Sequence, residues 1–139
     1  MLDEKEWWEM AEKTLHLFGG RLQSIPHAMP QMLVAVDFSL DKPKQIILAG
    51  QPEAPDTRAL LRAIHERFIP NKILLLADGD KELNYLGKHL PFVNSMAMIN
   101  GKATAYICEN YACQLPTTEI DVMLQLLDKK KSEKEGKVD

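Results

Sequence analysis

The sequence predicts an α/β fold with an α+β tendency: a small mixed sheet wrapped by helices. Three observations carry this. Residues 45–78 read as strand, helix, strand. Asn100-Gly101 lies between two short strand-like runs. Several other stretches repeat apolar residues at helical spacing.

The strand–helix–strand unit is the clearest. Gln45-Ile46-Ile47-Leu48-Ala49-Gly50 is an apolar run stopped by glycine, and Lys72 to Asp78 is a second such run. Neither alternates cleanly, as expected of parallel strands covered on both faces. Between them, Asp56 to Phe68 places Leu60, Leu61, Ile64 and Phe68 on one stripe, with Asp56 at the expected N-cap. The loop after the first strand has neither a Gly-x-Gly-x-x-Gly nor a Walker pattern, so a phosphate site is not expected there. His65, between Arg62 and Glu66, reads as part of a solvated face.

Upstream, Asp3 to Phe18 predicts a helix with Trp7, Trp8, Ala11, Leu15 and Phe18 on one face and Gly19-Gly20 as its C-cap. A second helix is expected either from Ser24-Ile25-Pro26, with Ser24 as N-cap, or from a later start at about Ala28 or Met29, because proline is best tolerated in a first turn and Pro30 follows. Its stripe is Met29, Met32, Leu33, Val36 and Leu40, with the methionines read as gap-filling core.

Downstream, Lys81 to Lys88 predicts a short helix, interrupted by Leu90-Pro91-Phe92. Ser95 to Ile99 and Lys102 to Cys108 flank Asn100-Gly101, the strongest short-range hairpin signal, because a type I′ turn needs positive φ at both central residues. Glu109 to Pro116 is expected to leave the sheet. Thr117 or Thr118 then caps a last helix with Ile120, Met123, Leu124 and Leu127 as its stripe. The resulting order, β-α-β-(α)-β-β-α after two helices, is compatible with a plain two-layer or three-layer α/β sandwich and equally with a thioredoxin-like topology. The loop that would carry Cys-x-x-Cys there holds Gly50 to Pro55 and no cysteine.

The chain has 139 residues, a net charge of −3 and 45% hydrophobic residues. One domain is expected over residues 1–128, with a helical pair at 1–42, an α/β core at 43–128, and a disordered charged tail at 129–139. The charge balance argues against nucleic acid or anionic membrane as a partner. No apolar run reaches the ~20 residues of a membrane span. The start of the chain has no signal-peptide pattern, and a cytoplasmic setting is expected.

Cys108 and Cys113 are the main chemistry-bearing pair. Three readings stand: structural thiols, a reversible disulfide or redox-sensing pair, and a metal site. Cys108 should share a strand face with Tyr106 and Thr104, with Ala105 and Ile107 opposite. No acid/base, nucleophile or metal set converges in the sequence, so no catalytic residue and no cofactor are assigned.

The stretch from Gly101 to Pro116, with its Gly-Lys-x-x-Ala-Tyr-x-Cys-x-Asn-x-x-Cys-x-x-Pro spacing, resembles the C-terminal end of the spermatogenesis-associated, YyaL-type thioredoxin-domain proteins. The Pro26 to Asp37 helix, the Gln45 to Gly50 run and Arg67-Phe68-Ile69-Pro70 resemble family features in the same order. The resemblance thus covers most of residues 20–128. It implies that full-length relatives carry a thioredoxin-like domain with the family's cysteine chemistry, then a helical barrel of the six-hairpin glycosidase-like type. This chain would be a C-terminal piece without either, its first two helices being the barrel's last hairpin. The partners implied are those two parts of the parent protein.

The leading expectation is therefore a non-catalytic structural or interaction module. A redox module using Cys108 and Cys113, and part of a carbohydrate-processing enzyme, are the alternatives. Helices cut from a barrel expose apolar faces, so a homo-oligomer, most simply a dimer through Trp7, Trp8, Phe18, Met29 and Met32, is also expected.

Overall fold

A computed structural model describes residues 5–78, 87–109 and 112–128. Among them the elements are α1 (Lys5–Ser24), a 3₁₀ turn at Pro26–Ala28, α2 (Pro30–Leu40), β1 (Lys44–Ala49), α3 (Pro55–His65), β2 (Lys72–Ala77), a 3₁₀ turn at Pro91–Ser95, β3 (Thr104–Glu109), β4 (Ala112–Cys113) and α4 (Ile120–Asp128). The expected tail at 129–139 and most of the expected helix at 81–88 lie outside the described residues.

The four strands form one mixed sheet in the order β2-β1-β3-β4. β1 pairs parallel with β2, from Lys44↔Lys72 to Ala49↔Ala77. It pairs antiparallel with β3, from Gln45↔Cys108 to Ala49↔Thr104. β1 is paired on both edges and packed on both faces, so Ile46 to Ala49 are all buried. This is why its sequence shows no alternation.

Alternation still decides which core each residue joins. Ile46 and Leu48, with Ala105 and Ile107 from β3, pack under Leu60 and Ile64 of α3 and Met123 and Leu127 of α4. Ile47, Ala49 and Cys108 face the other way, onto Leu90, Val93 and Met96. The sheet is thus sealed by two helices on one side and by the segment around the second 3₁₀ turn on the other. Lys44 reinforces the sheet's end by donating to the Leu127 carbonyl in the last turn of α4, where a cation meets the negative end of the helix dipole. It also lies 3.7 Å from Glu109.

Several expectations need correction. α1 does not stop at Gly19-Gly20 but runs on to Ser24, and its one buried side chain, Leu22, lies beyond the glycines. Burial of that leucine offsets the helix penalty of about 1 kcal/mol per glycine. α3 ends at His65, leaving Phe68 93% exposed instead of on the buried stripe. The N-cap of α3 is Ala54, with Pro55 at the first helical position and Asp56 inside the first turn. α2 starts at Pro30, near the later of the two expected starts; Ser24 is the last residue of α1, not an N-cap, and Pro26–Ala28 is a separate 3₁₀ turn. None of the α2 residues is buried, and Leu33 and Leu40 are exposed.

The hairpin is half right. Asn100 and Gly101 have φ of 52° and 70°, and the Lys102 N–H donates to the Ile99 carbonyl at 3.0 Å, closing the turn. Beyond one bridge, Ile99↔Lys102, the arm before the turn is not a strand. The reason is competition for edges. One edge of β3 is taken by β1; the other is taken by β4 and by Thr117, which exchanges two backbone bonds with Ala105 (2.8 and 3.1 Å). Side chains hold residues 96–99 instead. The Tyr106 hydroxyl donates to the Ala97 carbonyl at 2.8 Å, and the Ile99 N–H donates to Thr104 Oγ1 at 2.8 Å. The fourth strand comes from the stretch expected to leave the sheet: Ala112 and Cys113 pair with Glu109 and Cys108.

Candidate functional site

Two places bring together the residues singled out in the sequence. The first is a groove of ≈ 670 Å³ between α1 and α2. Trp7, Trp8 and Leu15 line it from α1, and Met32, Val34 and Phe38 from α2. The rings are not satisfied within the chain: Trp7 is 61% and Trp8 55% exposed. Their helix positions, one residue apart with Ala11 and Leu15 following, put them on the α2 side of α1. Of the five residues expected to support self-association, Trp7, Trp8 and Met32 line this groove. Phe18 and Met29 are half-buried and are not part of its lining.

The helical pair is fastened to the core by a polar clamp that no sequence pattern signals. Asn71, buried just before β2, donates from Nδ2 to Asp37 at 2.8 Å and to Asp41 at 2.9 Å. Its carbonyl accepts from the Lys44 N–H at 3.1 Å. The Asn71 bond, followed by the Lys42 N–H, holds the Asp41 carboxyl below its usual range. Partial desolvation opposes this shift, and the Lys44 charge adds to it.

The second place is the β3–β4 edge. Cys108 and Cys113 are directly opposed in the ladder and form a disulfide, with Cα atoms 3.9 Å apart. The reading as two structural thiols is thereby replaced. Cys108 is 2% exposed, on the face shared with Tyr106 and Thr104; Cys113 is exposed.

At the carboxyl ends of the parallel strands lies a smaller cavity of ≈ 320 Å³, lined by Gly50, Gln51, Asp78, Asn94, Met96 and Met98 among others. Gln51 Nε2 donates to the Asp78 carbonyl there at 3.2 Å. On the opposite side of Gly50, a Cβ would collide with Thr57 Oγ1, so glycine permits the close approach of α3 to β1. Asp56, the other carboxylate near this loop, is committed to the fold. It accepts from the Ala103 N–H at 2.8 Å and the Thr57 N–H at 2.9 Å. The Ala103 bond is the main cause of its lowered pKa, against an opposing desolvation. The first-turn amides therefore already face a carboxylate. Among the described residues no three His, Cys, Asp or Glu side chains gather to hold a metal ion. Nor, among them, is any helix long and apolar enough to cross a membrane.

No family model matches the chain, and no solved structure matches it. Curated relatives do. The chain is 39% identical over 123 residues to spermatogenesis-associated protein 20 of Rattus norvegicus, and 38% identical over the same length to the proteins of that name in Homo sapiens and Mus musculus. Each alignment covers 88% of this chain but only 15 to 16% of the relative. The chain thus spans about a sixth of the length of the proteins it matches. This homology supports the spermatogenesis-associated family.

Proposed function

We propose that the chain is a non-catalytic α/β module that packs, through the α1–α2 face, onto the rest of a longer polypeptide. The single observation behind this reading is the contrast between a sheet covered on both sides and an apolar groove left open beside it. An open apolar face of this kind is a docking surface. The occupant we propose is a helical surface of the same longer protein, since the matched relatives are several times longer than the matched section. A parent that carries a thioredoxin-like domain and a helical barrel fits this reading. Taken alone, the chain is expected to cover the face with a second copy.

Hydrogen exchange followed by mass spectrometry tests the assignment. The isolated chain, at a concentration where sedimentation finds it monomeric, is compared with the aligned section inside the full-length rat relative. Amides of α1 and α2 should exchange more slowly in the full-length protein while β1 and β3 stay unchanged. Equal exchange in both would overturn the reading. Protection that appears only as concentration rises would assign the face to a second copy instead.

A further inference from the structure

The two sulfurs of the disulfide sit in opposite environments. Cys108 belongs to β3 and is packed with Ile47, Val93 and Met96. Cys113 lies on the outermost, two-residue strand and is exposed. The segment that carries Cys113 is bounded downstream by an anchor of its own, the pair of backbone bonds between Thr117 and Ala105. Beyond that anchor, α4 packs on the far face of the sheet through Met123 and Leu127. Within the segment, the short β3–β4 ladder and the Gln114 N–H, which donates to the Ile107 carbonyl at 2.8 Å, do not depend on the sulfur–sulfur bond, so opening that bond loosens residues 112–116 without dismantling either core cluster.

We propose that Cys113 is the exchange sulfur of a thiol–disulfide site whose co-reactant is a small soluble thiol, with Cys108 as the buried resolving partner. The external thiolate attacks Cys113 Sγ. A bond forms between the external sulfur and Cys113, the Cys108–Cys113 bond breaks, and Cys108 Sγ leaves with the electron pair and takes up a proton. A second thiolate attacks the external sulfur of this mixed disulfide and releases the Cys113 thiolate. Two external thiols are oxidised to one disulfide, and the protein disulfide is reduced by the same two electrons. The reverse sequence also enters at Cys113: its thiolate opens an external disulfide, and Cys108 then displaces the external thiolate. Access selects the sulfur that is attacked, and Cys108 offers none. Once reduced, Cys108 fits its apolar surroundings as a small hydrophobic side chain. This site is independent of what covers the α1–α2 groove.

The test uses the full chain with reduced and then oxidised glutathione under native conditions, quenched by alkylation and mapped by peptide mass spectrometry. Glutathione should be found on Cys113 in at least about tenfold preference to Cys108. Residues 112–116 should gain hydrogen exchange on reduction while β1 keeps its protection. Cys108→Ser should accumulate the mixed disulfide at Cys113, and Cys113→Ser should leave Cys108 unmodified until denaturant is added. Opening only under conditions that also unfold β1, or comparable glutathione on Cys108, would overturn the proposal. If either variant fails to fold, the mapping on the unaltered chain decides.

Discussion

In the sheet, Ile46, Ile47 and Leu48 are almost wholly buried; in α2, Val34 is 60% and Leu40 82% exposed. The residue types are alike, and the outcomes are opposite. β1 has neighbours on both edges and a layer on each face, so every apolar group along it loses water. Among the described residues, α2 packs chiefly against α1 and the first 3₁₀ turn, and the Asn71 clamp joins it to the core through polar atoms. Apolar content therefore says that burial is wanted, while topology says whether the chain can supply it. The core is complete in itself. The helical pair is not.

The largest expected effect tests the complete half. Ile46→Ala should cost about 2–5 kcal/mol in chemical denaturation, because it opens a cavity beneath α3 and α4. Val34→Ala should cost no more than about 0.5 kcal/mol in the same measurement. Equal losses would break the comparison.

A middle-sized effect concerns the clamp. Asn71→Ala removes the donor that Asp37 and Asp41 share, and should raise hydrogen exchange across α1 and α2 with little change in β1. Acid should act in the same direction. The Asp41 carboxyl has a lowered folded-state pKa, so its contribution is complete above the unfolded value of about 4. It is lost as pH falls through the lowered folded value. The Asp56 contribution to the junction of α3 with Ala103 has the same sign and window. Helical-pair amides whose protection, relative to the intrinsic exchange rate at each pH, is the same at neutral and strongly acidic pH would contradict the role given to Asp41.

The smallest effect sharpens the picture of the core. Thr57 is 1% exposed, and among the described residues its Oγ1 has no hydrogen-bond partner. Thr57→Val keeps the shape and removes the buried unsatisfied hydroxyl, so stability should stay level or rise by about 1–3 kcal/mol, as read by denaturant midpoint. A clear loss would mean that the hydroxyl contributes to how α3 meets Gly50.

Local signals were read well where the sequence needed only its neighbours. Asn100-Gly101 makes its turn, Pro30 opens its helix, and the β1–α3–β2 unit is parallel as expected. Two of the errors concern competition. Gly19-Gly20 looked like a stop because glycine is a poor helix former, but Leu22 beyond it is buried. Ser95 to Ile99 looked like a strand, but both edges of β3 were already occupied. The Asn71 clamp was not legible at all, since Asp37, Asp41 and Asn71 are joined only when α2 meets the start of β2. Of the groove, the sequence showed Trp7, Trp8 and Met32; which residues of α2 would face them was settled by how the two helices cross.

By itself the sequence determined the class of the fold, the central parallel pair and the resemblance carried by the stretch around Cys108, because periodicity, turn chemistry and spacing are local properties. Tertiary structure alone decided that Cys108 faces the core while Cys113 faces outward, that the two are bonded, and that the tryptophans remain open. Those outcomes depend on which edges and faces are left after the strands have paired, and that allocation is made by the whole chain at once.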